Sequence, residues 1–249
     1  MYDIGIIGGM GPKATSILFD KIVNFTDANC DQDHPSIIIL DNTKIPDRTR
    51  YILTKEGNTP LDDINKALDI FSYVLKPHGT VGIVCNTAHY FARSIDKKAK
   101  LYGFDFINMP RYTLKYIALS RLSKKCCVLC TQGTKAAQIY NQANPGSLEI
   151  MYPSDKQCEE VQSIIYKIKD TSNINYTKIA LQLANLMELI GDYTFILACT
   201  ELSILDKSLL GQVSIVDAMD ILSMMLVNKS GHHIRVVDNR YDEKVIGMM

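Results

Sequence analysis

The stretch VGIVCNTAHYF, residues 81–91, decides how the rest of the chain is read. A short apolar run with β-branched residues passes directly into Cys85, Asn86 and Thr87. Such a run has the composition of a strand buried on both faces, as in a parallel sheet. It therefore sets a thiol and two hydrogen-bonding side chains at a strand's carboxyl end, the edge where open α/β sheets hold ligands. YTFILACTE, residues 193–201, repeats the pattern with Cys199 and Thr200. The two cysteines lie roughly half a chain apart, which suggests two similar lobes that each lend one thiol to a shared cleft.

Working outward, apolar runs of strand length alternate with longer amphipathic stretches. Strands are expected at 2–8, 36–41, 80–85, 103–109, 126–130, 147–152, 193–199 and 213–217, and helices at 61–76 and 177–190 among others. The fold class is α/β, two similar lobes, each a mostly parallel sheet flanked by helices, with the active site in the cleft between them. The first lobe is taken as 1–105 plus a returning 212–249, and the second as 106–211. Acidic and basic residues balance at 27 each, which leaves no electrostatic footprint for nucleic acid or an anionic membrane. No apolar run approaches the roughly 18 residues of a membrane span. The opening MYDIGIIGGMGPKAT carries no basic leader, so a cytoplasmic location is expected, with the seven cysteines as reduced thiols.

Taken singly, Cys85 and Cys199 read as core residues, because free cysteine is commonly buried. Their shared position argues otherwise: a helix beginning just after each would lower the thiol pKa from about 8.5. Two thiols facing across a cleft suit inversion of a carbon centre, where one group takes a proton from one face and another returns one to the opposite face. Zinc is disfavoured, because Cys85 and His89 have no second Cys/His pair at matching spacing. Cys127 and Cys130 form a C-x-x-C, but residues three apart on a strand point to opposite faces. The turn Gly9-Met10-Gly11-Pro12-Lys13-Ala14, with Asp41 ending the second strand, fits a dinucleotide fingerprint, and fits equally an anion cradle for a carboxylate. Arg48, in a loop at a strand's carboxyl end, is placed to grip a carboxylate in bidentate fashion. Thr131 and the backbone around Gly133 offer a second carboxylate site.

GGMGPKAT (8–15), QDHP (32–35), IPDRT (45–49), CNTAH (85–89) and ACTE (198–201) fall in the order of the aspartate racemase branch of the Asp/Glu/hydantoin racemase superfamily, which the chain resembles from about residue 3 to 228. The resemblance implies a racemase that works without pyridoxal phosphate, metal or any other cofactor, with Cys85 and Cys199 as catalytic thiols. It implies substrate contacts from Asn86, Thr87 and Thr200 and a grip on the side-chain carboxylate by Arg48 and Lys169; Met10, in the glycine turn, and Thr131 are taken as substrate contacts from their own positions. The implied substrate is aspartate, with glutamate racemisation or maleate isomerisation as alternatives within the superfamily, and the implied assembly is a homodimer. An NAD-dependent oxidoreductase built on Gly9–Ala14 and a non-catalytic dicarboxylate receptor are the readings from other classes. Asp47, His89 and Glu201 stand near the thiols without assigned roles. The segment after residue 229 extends beyond the usual family end and is expected to form a surface tail at dimer contacts.

Overall fold

The computed structural model describes residues 1–170, 174–235 and 240–249. Its strands are β1 (Tyr2–Gly8), β2 (Ile37–Asp41), β3 (Leu75–Ile83), β4 (Asp105–Phe106), β5 (Lys125–Cys130), β6 (Glu149–Met151), β7 (Thr194–Ala198) and β8 (Ile215–Asp217). The helices are α1 (Pro12–Phe25), α2 (Arg48–Thr54), α3 (Pro60–Val74), α4 (Ala92–Leu101), α5 (Met109–Leu119), α6 (Gln132–Ala136), α7 (Ile139–Ala143), α8 (Asp155–Lys169), α9 (Tyr176–Ile190), α10 (Ala218–Lys229) and α11 (Glu243–Gly247). Each expected strand is present, and the differences lie at the ends. β4 is shorter than the expected 103–109 because Gly103 turns with φ 73° and Asn108 caps α5, whose second residue is Pro110.

The strands form two sheets, β2-β1-β3-β4 and β6-β5-β7-β8, with every pairing parallel. The second order is the first shifted by four strands, so Cys85 and Cys199 both follow the third strand of their sheets. The sequence boundary at 212 is corrected here. Ile215–Asp217 pairs with β7 in the second sheet, so the chain returns to the first lobe only through α10.

Period-two alternation sends each strand's side chains into different layers. Ile4 and Ile6 of β1, Cys126, Val128 and Cys130 of β5, and Ile196 and Ala198 of β7 all join one central core with α1, α5 and α10. The opposite faces pack separately, Val81 and Ile83 with α3 and α4, and Cys127 and Leu129 with α8 and α9. Cys127 and Cys130 thus point into different cores, as the strand period requires. Helix α10 is buried on nearly all sides, consistent with its lack of a polar stripe.

The segment after residue 229 is not a surface tail. Ile234 bridges Thr26 in antiparallel fashion, Tyr241 stacks edge-on against Tyr116 at 5.5 Å, and Val245, Ile246 and Met249 are buried in the central core. Residues 236–239 of that segment lie outside the described residues. Apolar content explains the docking: the segment covers the ends of α5 and α10, which would otherwise expose core.

A buried charge network ties this region together. Asp217 and Asp220 are fully buried, and Lys207 reaches Asp217 at 2.7 Å, while Lys21 pairs with Asp220 and the Tyr241 hydroxyl donates to it at 2.9 Å. Burial pushes the Asp217 carboxyl up, but Lys207 and Lys21 outweigh it and hold it below its ordinary value. Removing one partner of such a pair strands a charge in the interior. Lys207→Met is expected to lower stability by about 3 kcal/mol, seen as a fall in Tm of about 6–12 °C in thermal unfolding.

Candidate active site

The carboxyl edges of the two sheets face one cleft. Cys85, Asn86, Thr87, Met10 and Arg48 line it from the first lobe, and Thr131, Lys169, Cys199 and Thr200 from the second. All nine side chains singled out from the sequence therefore meet in one place. Asp47, Thr49, Gln162, Tyr166 and Glu201 line it as well. Gln162, Tyr166 and Lys169 are spaced i, i+4, i+7 on α8 and share one helix face. That spacing was available in the sequence once Lys169 had been placed in the cleft.

The electrostatic centre is Glu201. Its carboxylate is 4 % exposed, accepts the Cys199 thiol proton with Sγ to Oε2 at 2.9 Å, and pairs with Lys169 at 2.6 Å. Burial pushes the Cys199 thiol pKa well above its ordinary value, and the adjacent Glu201 charge adds to the rise. This corrects the expected lowering by a helix dipole. Cys199 is followed by the single 3-10 turn Leu202–Ile204, which is too short to offer a useful dipole. Burial works against the Lys169 ammonium, but Glu201 outweighs it, with Cys199 and Cys85 contributing, so its pKa is raised and it stays charged.

His89 is a structural group. Its Nδ1 lies 2.9 Å from the Cys85 carbonyl, and its Nε2 accepts the Met109 N–H at 3.1 Å. A carbonyl only accepts and an amide only donates, so the ring is neutral and protonated at Nδ1. Burial pulls its pKa down to about 4, which keeps it neutral. It fastens the backbone of Cys85 to the start of α5. Asp47 caps α2 by accepting from the Arg50 N–H at 2.6 Å.

Asn86 accepts the Tyr140 hydroxyl proton through Oδ1 at 2.7 Å, while its buried Nδ2 has no partner among the described residues. Thr87, Thr131 and Thr134 hydroxyls form a triangle with sides of 2.9, 3.0 and 3.1 Å across the two lobes. Thr134 and Tyr140 carry no sequence signal of their own, and only the lobe contact reveals them. Arg48 donates to the carbonyls of Ile45, Pro46 and Met10, leaving Nε buried without a partner among the described residues.

The two backbone cradles expected from the sequence are largely taken. Gly9 has φ 86°, and a Cβ there would lie 2.2 Å from the Asn42 carbonyl carbon, so only glycine fits. Its N–H donates to Thr15, and the Met10 carbonyl receives Arg48 at 3.1 Å and Lys169 at 3.4 Å. The glycine turn is thus joined to the cleft's cations. At α6, the Gln132 N–H donates to Gln162, and a Cβ on Gly133 would lie 2.8 Å from the Thr49 Cα. Gly133 is a point of lobe contact. Among the described residues, no three His, Cys, Asp or Glu side chains cluster as metal ligands.

Several known proteins share this architecture. The chain is 26% identical over 235 residues to the broad specificity amino-acid racemase RacX of Bacillus subtilis, covering 90% of this chain and 96% of that protein. In fold it is similar to the aspartate racemase of Picrophilus torridus, with a TM-score of 0.79 at 23% identity over 98% of each chain. It is also similar in fold to the glutamate racemase of Francisella tularensis solved with D-glutamate, with a TM-score of 0.61 at 17% identity, covering 97% and 86% of the two chains. The Asp/Glu/Hydantoin racemase model matches residues 7–226, most of the molecule and both thiol-bearing strands, and the chain belongs to that family.

Proposed function

We propose that this protein is a cofactor-independent racemase that interconverts L- and D-aspartate by a two-base mechanism, with Cys85 and Cys199 as the bases. The observation that carries the reading is the delivery of two thiols, from equivalent strands of two like sheets, into one cleft that also holds Lys169 and Arg48. The relatives named above, an aspartate racemase and a broad specificity amino-acid racemase, support it. Glutamate differs by one methylene and is the nearest alternative substrate. A cytoplasmic homodimer completes the reading, and seven free cysteines fit a reducing compartment.

The residues take roles suited to their hydrogen-bonding capacity. Three hydroxyls in a closed ring use all their protons on one another; Thr131 also accepts the Thr134 N–H at 3.3 Å, so Thr87 keeps the lone pair that can accept from a substrate ammonium, with Thr131 holding it in place. The unpartnered Nδ2 of Asn86 is a ready donor to the α-carboxylate. Met10, through its turn, and Thr200 flank the same space. Lys169 and the free Nε of Arg48 attract the side-chain carboxylate.

Proton removal then divides between the thiols. Glu201 takes the proton from Cys199, the S–H electron pair staying on sulfur, and the thiolate removes the α-proton. Cys85 protonates the opposite face. Because the α-proton of an amino acid is a weak acid, donors and cations that stabilise charge spreading onto the α-carboxylate supply most of the help.

Cys85→Ser and Cys199→Ser are each expected to cut aspartate racemisation by about 10³-fold, followed by polarimetry without added cofactor. Near-full racemisation in either variant would end the two-base account. A second expectation follows from the raised Cys199 pKa. The thiolate fraction grows with pH, so solvent deuterium entry at the α-carbon should speed up from pH 7 to pH 9. Glu201→Gln removes the charge that raises the Cys199 pKa but also the group that takes its proton; with the second effect dominant the exchange should slow by about 100-fold at pH 7, and an unchanged or faster rate would remove Glu201 from the proton path.

A further inference from the structure

The catalytic cleft is nearly filled by its own side chains, with an inner cavity of about 30 Å³. That is room for about one water, not for a dicarboxylic amino acid. Directly outside lies an open cavity of about 550 Å³, its surface mostly the apolar stems of polar side chains. Gln162 and Tyr166 line both. They stand one turn apart on α8, and Lys169 lies less than a turn further along the same face. Gln162 is buried and fixed through Oε1 to the Gln132 N–H at 2.9 Å, whereas the Tyr166 side chain is half exposed.

We propose that Gln162 and Tyr166 form the wall that sets how long a side chain the enzyme accepts, and that their displacement opens the inner cavity to the outer one. The proposal rests on the racemase reading above and deepens it. If Lys169 receives the end of the substrate side chain, the residues earlier on its helix face border the space into which each added methylene must go. A wall that gives way only part of the distance confines the substrate to short dicarboxylates. An opened wall admits amino acids whose side chains reach the outer cavity, whose rim carries Glu159, Ser163 and Lys167 as polar partners.

The test compares purified full-length wild type, Tyr166→Ala, Tyr166→Trp and Gln162→Ala on L-aspartate, L-glutamate and L-2-aminoadipate, following racemisation by chiral chromatography. In the alanine variants the kcat/KM ratio of glutamate or aminoadipate to aspartate should rise about 10-fold or more, and Tyr166→Trp should lower it. Tyr166 is exposed enough for its variants to fold whatever becomes of Gln162→Ala, which leaves the Gln132 N–H unpaired. Ratios that stay within about 2-fold of wild type in both Tyr166 variants, with aspartate turnover retained, would overturn the wall while leaving the racemase reading intact. A wild type that racemises none of the three amino acids would instead overturn the racemase reading, and the wall with it.

Discussion

A carboxylate buried beside a thiol is the constraint on which the site depends. Glu201 sits at a depth where an unpaired charge is costly, and Lys169 is the cation that makes its burial tolerable. Because Lys169 ends α8 while Glu201 follows β7, the pair fixes that helix against the second sheet's carboxyl edge. The same ammonium also approaches the Met10 carbonyl, which accepts from Arg48. A continuous chain from Cys199 through Glu201, Lys169 and Met10 to Arg48 therefore crosses from one lobe to the other. The cleft is an electrostatic unit as well as a gap between two sheets.

The two lobes repeat a strand order but not an environment. Cys85 is held through its backbone carbonyl by His89, a neutral ring locked in one tautomer, whereas Cys199 is held through its sulfur by Glu201. On the two-base reading proposed above, inversion needs one thiolate and one thiol at the same moment. A symmetric pair of thiols would leave the choice of which is charged to solvent. Here the Glu201 carboxylate adjoins one sulfur, so the proton that distinguishes the two states has a defined place to go.

Much of this was legible in the sequence. Both strand-to-thiol junctions and the eight strands follow from short apolar runs and from the rule that ligands gather at carboxyl edges, whereas Lys169 entered only through the family resemblance. What escaped depends on contacts between distant segments. Glu201 looked like any acid after a threonine until Lys169, 32 positions earlier in the sequence, was brought to 2.6 Å. The lobe boundary was misplaced because the three residues of β8 carry too little pattern to say which sheet they join. The last twenty residues read as surface because their apolar groups, Tyr241, Val245, Ile246 and Met249, are scattered among charges, and only the exposed ends of α5 and α10 give them somewhere to dock.

The shared central core limits how the cleft can work. Helices α1, α5 and α10 pack between the sheets, and both sheets bury one face in the same cluster. A rigid-body swing of one lobe away from the other would tear that cluster open and expose large aliphatic groups to water, at roughly 25 cal/mol for each Å² uncovered. Gly133 against Thr49 and the threonine triangle add close contacts at the mouth. Access is cheaper where the packing is thinnest. That place is the solvent-facing stripe of α8, where Tyr166 is half exposed between the cleft and the open cavity outside it. On the proposed reading, that rigidity shifts the burden of admitting substrate onto side chains, and onto α8 in particular.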